Sequence, residues 1–352
     1  MIETNITKML GIKHPSIAAP MGPFYTTELT VAVSNAGGLG ILSHTNLNGR
    51  SSIEDLKKNM EYVVEHTDKP FGFNIRTARM QPDASTLCRA IPKFIMSNPK
   101  IKEQCRYIIT SAGSPKMLQM SKSFQKLKES SEVKNFHVAP ALWLADKCVA
   151  AGVDGLVCTG TEGGGHQSYE KISTIVLLQQ IANKCPNVPL IACGGFATGE
   201  GLAAALSLGA GAIAMGSRFI ASIESEFHDA YKGIIPNAKA SDTELVTGFL
   251  GPIRLWKNKY AASQGLVANK EEKIAEEQAL SIESLMKDQQ HYEMTYEGNI
   301  EDGAVLLGQS IGLINRVESV KTIIDDIVNR AEEILTNVHR LVKEPIIDIL
   351  VN

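Results

Sequence analysis

An α/β fold, and within it a (β/α)8 TIM barrel carrying a smaller, mainly helical lid, is predicted by three features of the sequence. Eight short apolar runs recur over residues 1–235, each followed by a loop and an amphipathic stretch. The runs are apolar almost throughout, as parallel strands are when helices cover their outer face. No Gly-x-Gly-x-x-Gly follows the first run, and eight evenly spaced units exceed what a doubly wound open sheet usually employs. Closure into a barrel follows.

The first run is Ser16-Ile17-Ala18-Ala19-Pro20-Met21, with a helix over Glu28 to Val33. Gly40-Ile41-Leu42-Ser43 is the second, with a helix near 52–65, and Phe71-Gly72-Phe73-Asn74-Ile75 the third, with a helix near 84–97. After the fourth, Tyr107-Ile108-Ile109-Thr110, the Ser114-Pro115 pair signals a helix start, because proline suits a first helical turn. The fifth run, Phe136 to Pro140, leads to a helix near 142–151 closed by Gly152. The sixth, Gly155-Leu156-Val157-Cys158-Thr159, leads to a helix near 172–184. The seventh ends in Cys193-Gly194-Gly195 before a helix near 199–208, and the eighth ends in Met215-Gly216-Ser217-Arg218 before a helix from about 224.

Beyond residue 235 this rhythm stops. Residues 236–316 are more polar and are expected to form a lid over the barrel mouth, with a solvated charge-rich helix around Lys270 to Glu277. Val320, Ile323, Ile324, Ile327, Ala331, Ile334 and Leu335 recur at helical spacing. The third segment, 317–352, is therefore expected to place a helix near 319–337 back on the body.

Bulk properties exclude several classes of function. A net charge of −3 gives no general attraction to nucleic acid or an anionic membrane. No apolar stretch is long enough to span a bilayer, and the Met1 to Asn5 start lacks the basic residues and apolar run of a signal peptide. The six cysteines form no CxxC pair and no zinc spacing, so no metal site is expected and the setting is expected to be cytoplasmic and reducing.

Chemistry concentrates after the sixth run, in Gly160-Thr161-Glu162-Gly163-Gly164-Gly165-His166. Consecutive glycines let a backbone lie against a ligand, and an imidazole trades protons near neutral pH. A flexible turn with a solvated histidine fits the heptapeptide equally well. Gly194-Gly195 and Gly216-Ser217 end the seventh and eighth runs, the places where such barrels commonly bind phosphate through backbone N–H groups. Tight turns alone would also use these glycines. The amide of Asn74, at the end of an apolar run, can both donate to and accept from a heterocycle edge, although a turn-capping asparagine is the commoner use. His44 and His137 also fall near run ends, where a lone histidine is more often structural. Trp256, Tyr260, Tyr292 and Tyr296 are candidates to line an apolar pocket under the lid.

Ala19-Pro20-Met21, Ser34-Asn35-Ala36-Gly37-Gly38-Leu39-Gly40, Phe71-Gly72-Phe73-Asn74, Gly165-His166, Gly194-Gly195-Phe196, Met215 to Phe219 and Gly308 to Ile314 occur in an order that resembles the nitronate monooxygenases, formerly 2-nitropropane dioxygenases. The resemblance spans essentially the whole chain. It implies an FMN-containing barrel in which Gly194, Gly195, Gly216 and Ser217 hold the phosphate. Ala19, Met21 and Asn74 would lie along the isoalloxazine, Glu162 would help hold the cofactor, and His166 would be the catalytic base, with O2 as co-substrate. Two departures stand out: the usual Glu-Ala-Gly-Gly-His reads Glu162-Gly163-Gly164-Gly165-His166, and a Gly-Thr-Arg pattern reads Gly216-Ser217-Arg218. The chain is also similar to the FMN-dependent enoyl-ACP reductases, which would make NAD(P)H the reductant and an enoyl thioester the substrate. A flavin-binding protein without turnover is a third reading, and a homodimer is among the assemblies these readings allow.

Overall fold

The computed structural model describes residues 2–47, 50–78, 81–248, 251–265, 271–272 and 282–341, with backbone alone at 282–286. Eight of its strands form one parallel sheet: β1 (Ser16–Ala18), β2 (Gly40–Leu42), β3 (Phe71–Arg76), β4 (Cys105–Ser111), β5 (Lys134–Ala139), β6 (Gly155–Thr159), β8 (Leu190–Cys193) and β9 (Ala212–Met215). Their spatial order is β1-β9-β8-β6-β5-β4-β3-β2. The sheet closes where Ile17 bridges Leu39: the Leu39 N–H donates to Ser16 O at 3.0 Å, and the Ala18 N–H to Leu39 O at 2.9 Å. All eight apolar runs are therefore strands of one barrel, as their alternation with helices requires.

Burial explains the patterning. Every residue of β6 and β9 is buried, because barrel filling lies on one side and helices on the other. The helix Ala84–Ser97 continues through Pro92 because Leu87, Cys88, Ile91 and Ile95 give it a continuous buried face. After Ser114-Pro115 the chain makes a four-residue turn, Lys116–Gln119, and the long helix begins only at Lys122. Below the barrel, the helix Asn5–Leu10 closes the N-terminal end, where the Thr4 hydroxyl donates to Gly211 O at 2.7 Å.

Residues 236–316 contain more than helix. β10 (Thr243–Gly248) and β11 (Gly251–Trp256) pair antiparallel, and β11 also pairs with β7, the two residues Gly165–His166. A period-2 signal this short, interrupted by Gly248 and Gly251, is hard to separate from loop in the sequence. The helix Ile282–Tyr296 follows and rests on the loops after β1 and β2, through a Tyr25–Tyr296 ring contact at 5.9 Å and a Gln289 Nε2 donation to Asn46 O at 3.4 Å. Most of the charge-rich Lys270–Glu277 stretch lies outside the described residues; Glu271 and Glu272 are helical and exposed. The long final helix, Val320–His339, lies against the helices after β1 and β8, burying Val320, Ile323, Ile324, Ile327 and Ala331. Among the described residues, no helix is long and apolar enough to cross a membrane.

Candidate active site

The loop after β6 is held from three sides at the C-terminal end of the barrel. Its Gly165 and His166 are opposite Arg254 and Ile253 of β11, and the Gln167 N–H donates to Pro252 O at 2.8 Å. Its carbonyls are also taken: Arg254 Nε donates to Thr161 O at 2.7 Å, and Gln167 Nε2 to Gly163 O at 2.7 Å. The third side is the returning chain, whose Gln309 N–H donates to Glu162 O at 2.8 Å. A flexible turn is thereby excluded. His166 owes its position to backbone pairing with the lid hairpin.

The glycines of this loop meet protein rather than open space. A Cβ on Gly164 would stand 2.7 Å from the Gly308 nitrogen, and one on Gly194 would stand 2.9 Å from the Gly163 nitrogen. At Gly164 the space is thus filled by the returning tail, and at Gly163 by Gln167 Nε2 and Thr159 Cγ2, 3.0 and 3.2 Å from where a Cβ would stand. At Gly165, by contrast, the space beside Cα is open, and φ is +79°.

Glu162 occupies a defined place. Its Oε2 accepts from the Thr174 N–H at 2.8 Å and from the Thr174 hydroxyl at 2.9 Å. Thr174 opens the helix Thr174–Lys184, and Ser173, at the cap position, makes no side-chain cap bond. The carboxylate therefore caps that helix from another loop, where the positive end of the helix dipole favours it. The same Thr174 hydroxyl lies 2.9 Å from Gly194 O, which ties the loops after β6 and β8 to one helix start.

The loops after β8 and β9 present unused donors. Among the described residues, no hydrogen bond uses the N–H groups of Gly195, Phe196, Gly216 or Ser217. Ser217 is buried and its oxygen accepts from the Gly308 N–H at 3.0 Å, leaving its hydroxyl proton to donate. Gly195 faces Glu162, with room for a Cβ at 3.4 Å from the Glu162 Cβ. A Cβ on Gly216 would reach ordinary contact, 3.9 Å, with both Ala19 Cβ and Met21 Cγ. The end of β1 and the loop after β9 therefore share one wall. Met21 is held there by its own N–H, which donates to the Ser43 hydroxyl oxygen at 3.0 Å. Such a set of free backbone donors with a buried hydroxyl fits a phosphate, and the Ala19–Met21–Gly216 wall fits a flat ring system.

Asn74 is buried on β3 and spends its amide hydrogens on β4, donating to Ile109 O at 2.9 Å and to Ser111 Oγ at 3.2 Å. No described residue donates to its Oδ1. Its capacity toward a heterocycle is accordingly that of an acceptor.

Electrostatics set the state of His166. The ring is exposed to the barrel mouth, yet the protein crowding around it pushes its pKa down to about 4, and the nearby positive charge of Arg76 adds to the effect. Water reaching the ring opposes this shift, but the direction is enough: the imidazole is neutral at neutral pH and able to accept a proton. The other two histidines serve the scaffold. His44 Nδ1 accepts from the Arg76 N–H at 3.0 Å while its Nε2 lies 3.1 Å from Asp83 Oδ2. His137 is buried, with Nδ1 2.7 Å from the Thr110 hydroxyl, and burial pushes its pKa down to about 4.

Of the four lid aromatics, Tyr260 and Tyr292 are buried and Trp256 and Tyr296 half-buried. The Tyr260 hydroxyl donates to Asp288 at 2.8 Å, and Tyr292 lies close enough to Arg76 for each to perturb the other. Sequence reasoning missed Arg76, Thr174 and Arg254. Arg76 was accessible, since it stands two residues after Asn74 and shares its strand face. Thr174 and Arg254 were not, because their roles exist only across loops.

Comparison with known proteins places the chain in a family. The model described as Nitronate monooxygenase matches residues 3–330. FabK from Thermotoga maritima superposes with a TM-score of 0.78 at 33% identity, covering 97% of this chain and 100% of that one. A nitronate monooxygenase of Paraburkholderia phytofirmans is 30% identical over 72% of this chain and 76% of its own length. From Mycobacterium tuberculosis, a (3aS,4S,5R,7aS)-5-hydroxy-7a-methyl-1-oxo-octahydro-1H-indene-4-carboxyl-CoA dehydrogenase is 29% identical over 93% of this chain and 95% of its own.

Proposed function

The chain belongs to the nitronate monooxygenase family and is an oxidoreductase, and from that premise we propose that it is an FMN enzyme oxidising alkyl nitronates or similar small carbanions with O2. The observation that carries this reading is His166: a neutral imidazole, fixed at the barrel mouth by pairing with β11 and exposed there. FMN, when bound, supplies the electron-accepting chemistry that no side chain provides. The N–H groups of Gly195, Phe196, Gly216 and Ser217, with the Ser217 hydroxyl, would hold its phosphate. Ala19 and Met21 would wall its ring, and Asn74 Oδ1 would accept from its edge. Glu162 acts at one remove, by fixing the start of the helix Thr174–Lys184 and with it the loop that carries Gly194.

The division of labour among the residues follows. A neutral nitroalkane gives up its α-proton to a ring nitrogen of His166, and the resulting nitronate is held beside the ring wall. A substrate that arrives already ionised has no need of the base. Replacing His166 by Asn should therefore leave flavin absorbance intact while turnover of the neutral nitroalkane falls about 10²–10⁴-fold, the usual worth of a general base. Turnover of the preformed nitronate should fall much less. Wild-type rates on the neutral substrate in this variant would remove His166 from the mechanism.

A second reading, an NAD(P)H-dependent enoyl-thioester reductase, is favoured by the FabK likeness over the full length of both chains. Anaerobic addition of NADH separates the two: bleaching of the flavin within the turnover time supports the reductase, and an unchanged spectrum supports the oxidase chemistry.

A further inference from the structure

Arg76, the last residue of β3, makes no ion pair among the described residues. Its Nη2 donates to Asn46 Oδ1 at 2.8 Å, and its Nε is enclosed by protein with no hydrogen-bond partner. Asp83, whose charge reaches Arg76, is engaged by His44 at 3.1 Å and by Gln81 at 2.7 Å. A half-buried cation with a sealed, unpartnered Nε is costly, and neither fold nor cofactor cradle accounts for this one. Its place is informative: at the C-terminal end of β3, Arg76 shares the strand face of Asn74, its partner Asn46 also accepts from Gln289 of the lid helix, and His166 and Tyr292 are close enough to feel its charge.

We propose that Arg76 is the anion-binding residue of the active site, gripping the planar pair of oxygens of the substrate beside His166. The inference rests on the nitronate reading above. A guanidinium is a flat fork of N–H donors that matches two coplanar oxygens, whereas an ammonium is a point charge without that geometry. Nitronate carries such a pair, on the atom next to the carbon that His166 addresses. Asn46 steers the fork by occupying Nη2, and Nη1, which makes no hydrogen bond among the described residues and is not enclosed as Nε is, is the corner offered to the substrate.

Inorganic nitrate, planar and inert to the base, is the probe. FMN-loaded wild type, Arg76→Lys and Arg76→Gln are titrated with nitrate by calorimetry, and KM and kcat are measured with ethyl nitronate. Nitrate affinity is expected to fall at least about tenfold in Arg76→Gln, the scale of a hydrogen-bonded charge, with a smaller loss in Arg76→Lys. KM for ethyl nitronate should rise by a similar factor while the melting temperature and flavin content stay at wild-type values. Equal nitrate affinity in wild type and Arg76→Gln, or no nitrate binding to wild type, overturns the proposal. If Arg76→Gln does not fold, Arg76→Lys decides: undiminished nitrate affinity there also overturns it. Arg76-dependent nitrate binding without any nitronate turnover would leave the anion site standing and sink the nitronate reading. Normal nitronate turnover with unchanged KM in Arg76→Gln would do the reverse.

Discussion

Gly194→Ala tests whether the loops after β6 and β8 are locked together. Gly194 has φ of +89°, and a Cβ there would stand 2.9 Å from the Gly163 nitrogen and 3.0 Å from Gly160 O. Both neighbours are backbone, so no rotamer change relieves the contact. A side chain at positive φ costs about 1–2 kcal/mol, offset by about 0.4–1 kcal/mol because alanine restricts the unfolded chain. Forcing two packed backbones apart adds about 1–3 kcal/mol. The net expectation is a destabilisation of about 2–4 kcal/mol, a large share of a typical domain's stability. Gly165→Ala is the internal control: its φ is +79°, but a Cβ meets nothing within 4 Å, so only the conformational cost of about 1 kcal/mol applies. Urea unfolding of the flavin-loaded proteins, followed by circular dichroism and by flavin fluorescence, reads both stability and cofactor release. Gly194→Ala should unfold at clearly lower urea and lose flavin before the global transition, while Gly165→Ala keeps it. If the two variants agree within about 0.5 kcal/mol and both retain flavin, the packing argument fails, since that gap is the scatter of ordinary surface changes.

Two further expectations follow from the same geometry. Thr174→Val removes the hydroxyl that donates to Glu162 Oε2 and Gly194 O, and should cost about 1–3 kcal/mol in thermal or urea unfolding and weaken flavin retention; unchanged flavin affinity would show that the shared tie is not needed for the cradle. His137 is buried with its Nε2 unpartnered, and its pKa is pushed from 6.5 to about 4. Between these values the unfolded chain binds the proton and the folded chain does not, so stability rises with pH through that window and falls as acid is added. The difference amounts to roughly 3 kcal/mol at its full extent. His137→Gln should flatten the melting temperature between pH 6.5 and 4 relative to wild type, and an identical slope in both proteins would assign the acid sensitivity elsewhere.

The eight barrel strands and most of their helices were legible because each signal is local. An apolar run of four to six residues between glycines and prolines reads as a buried strand wherever it occurs, as Gly155–Thr159 and Ala212–Met215 illustrate. The glycines at 194, 195 and 216 stood out for a related reason, since their position after the seventh and eighth strands has a meaning in any such barrel. The lid hairpin did not announce itself, because β10 lacks a clean alternation of burial and β11 is buried almost throughout. Arg76 illustrates a different limit. Its spacing from Asn74 put it on the right face, but a terminal arginine on a strand reads as a solvated end until Asn46 is seen to hold Nη2 and protein to cover Nε.

By itself, the sequence determined the barrel, the strand ends where chemistry gathers, and the residue types gathered there. Those depend on hydrophobic period and backbone permissiveness, which act between neighbours in the chain. Only the tertiary structure decided how the heptapeptide after β6 is used. Gly164 packs against Gly308 and Gly163 against Gln167 and Thr159, and Glu162 is committed to Thr174. His166 is aimed by Ile253, from a strand nearly ninety residues further along the chain. Contacts between segments so distant carry no periodic signature, because what selects them is the shape left when separate elements close on one another.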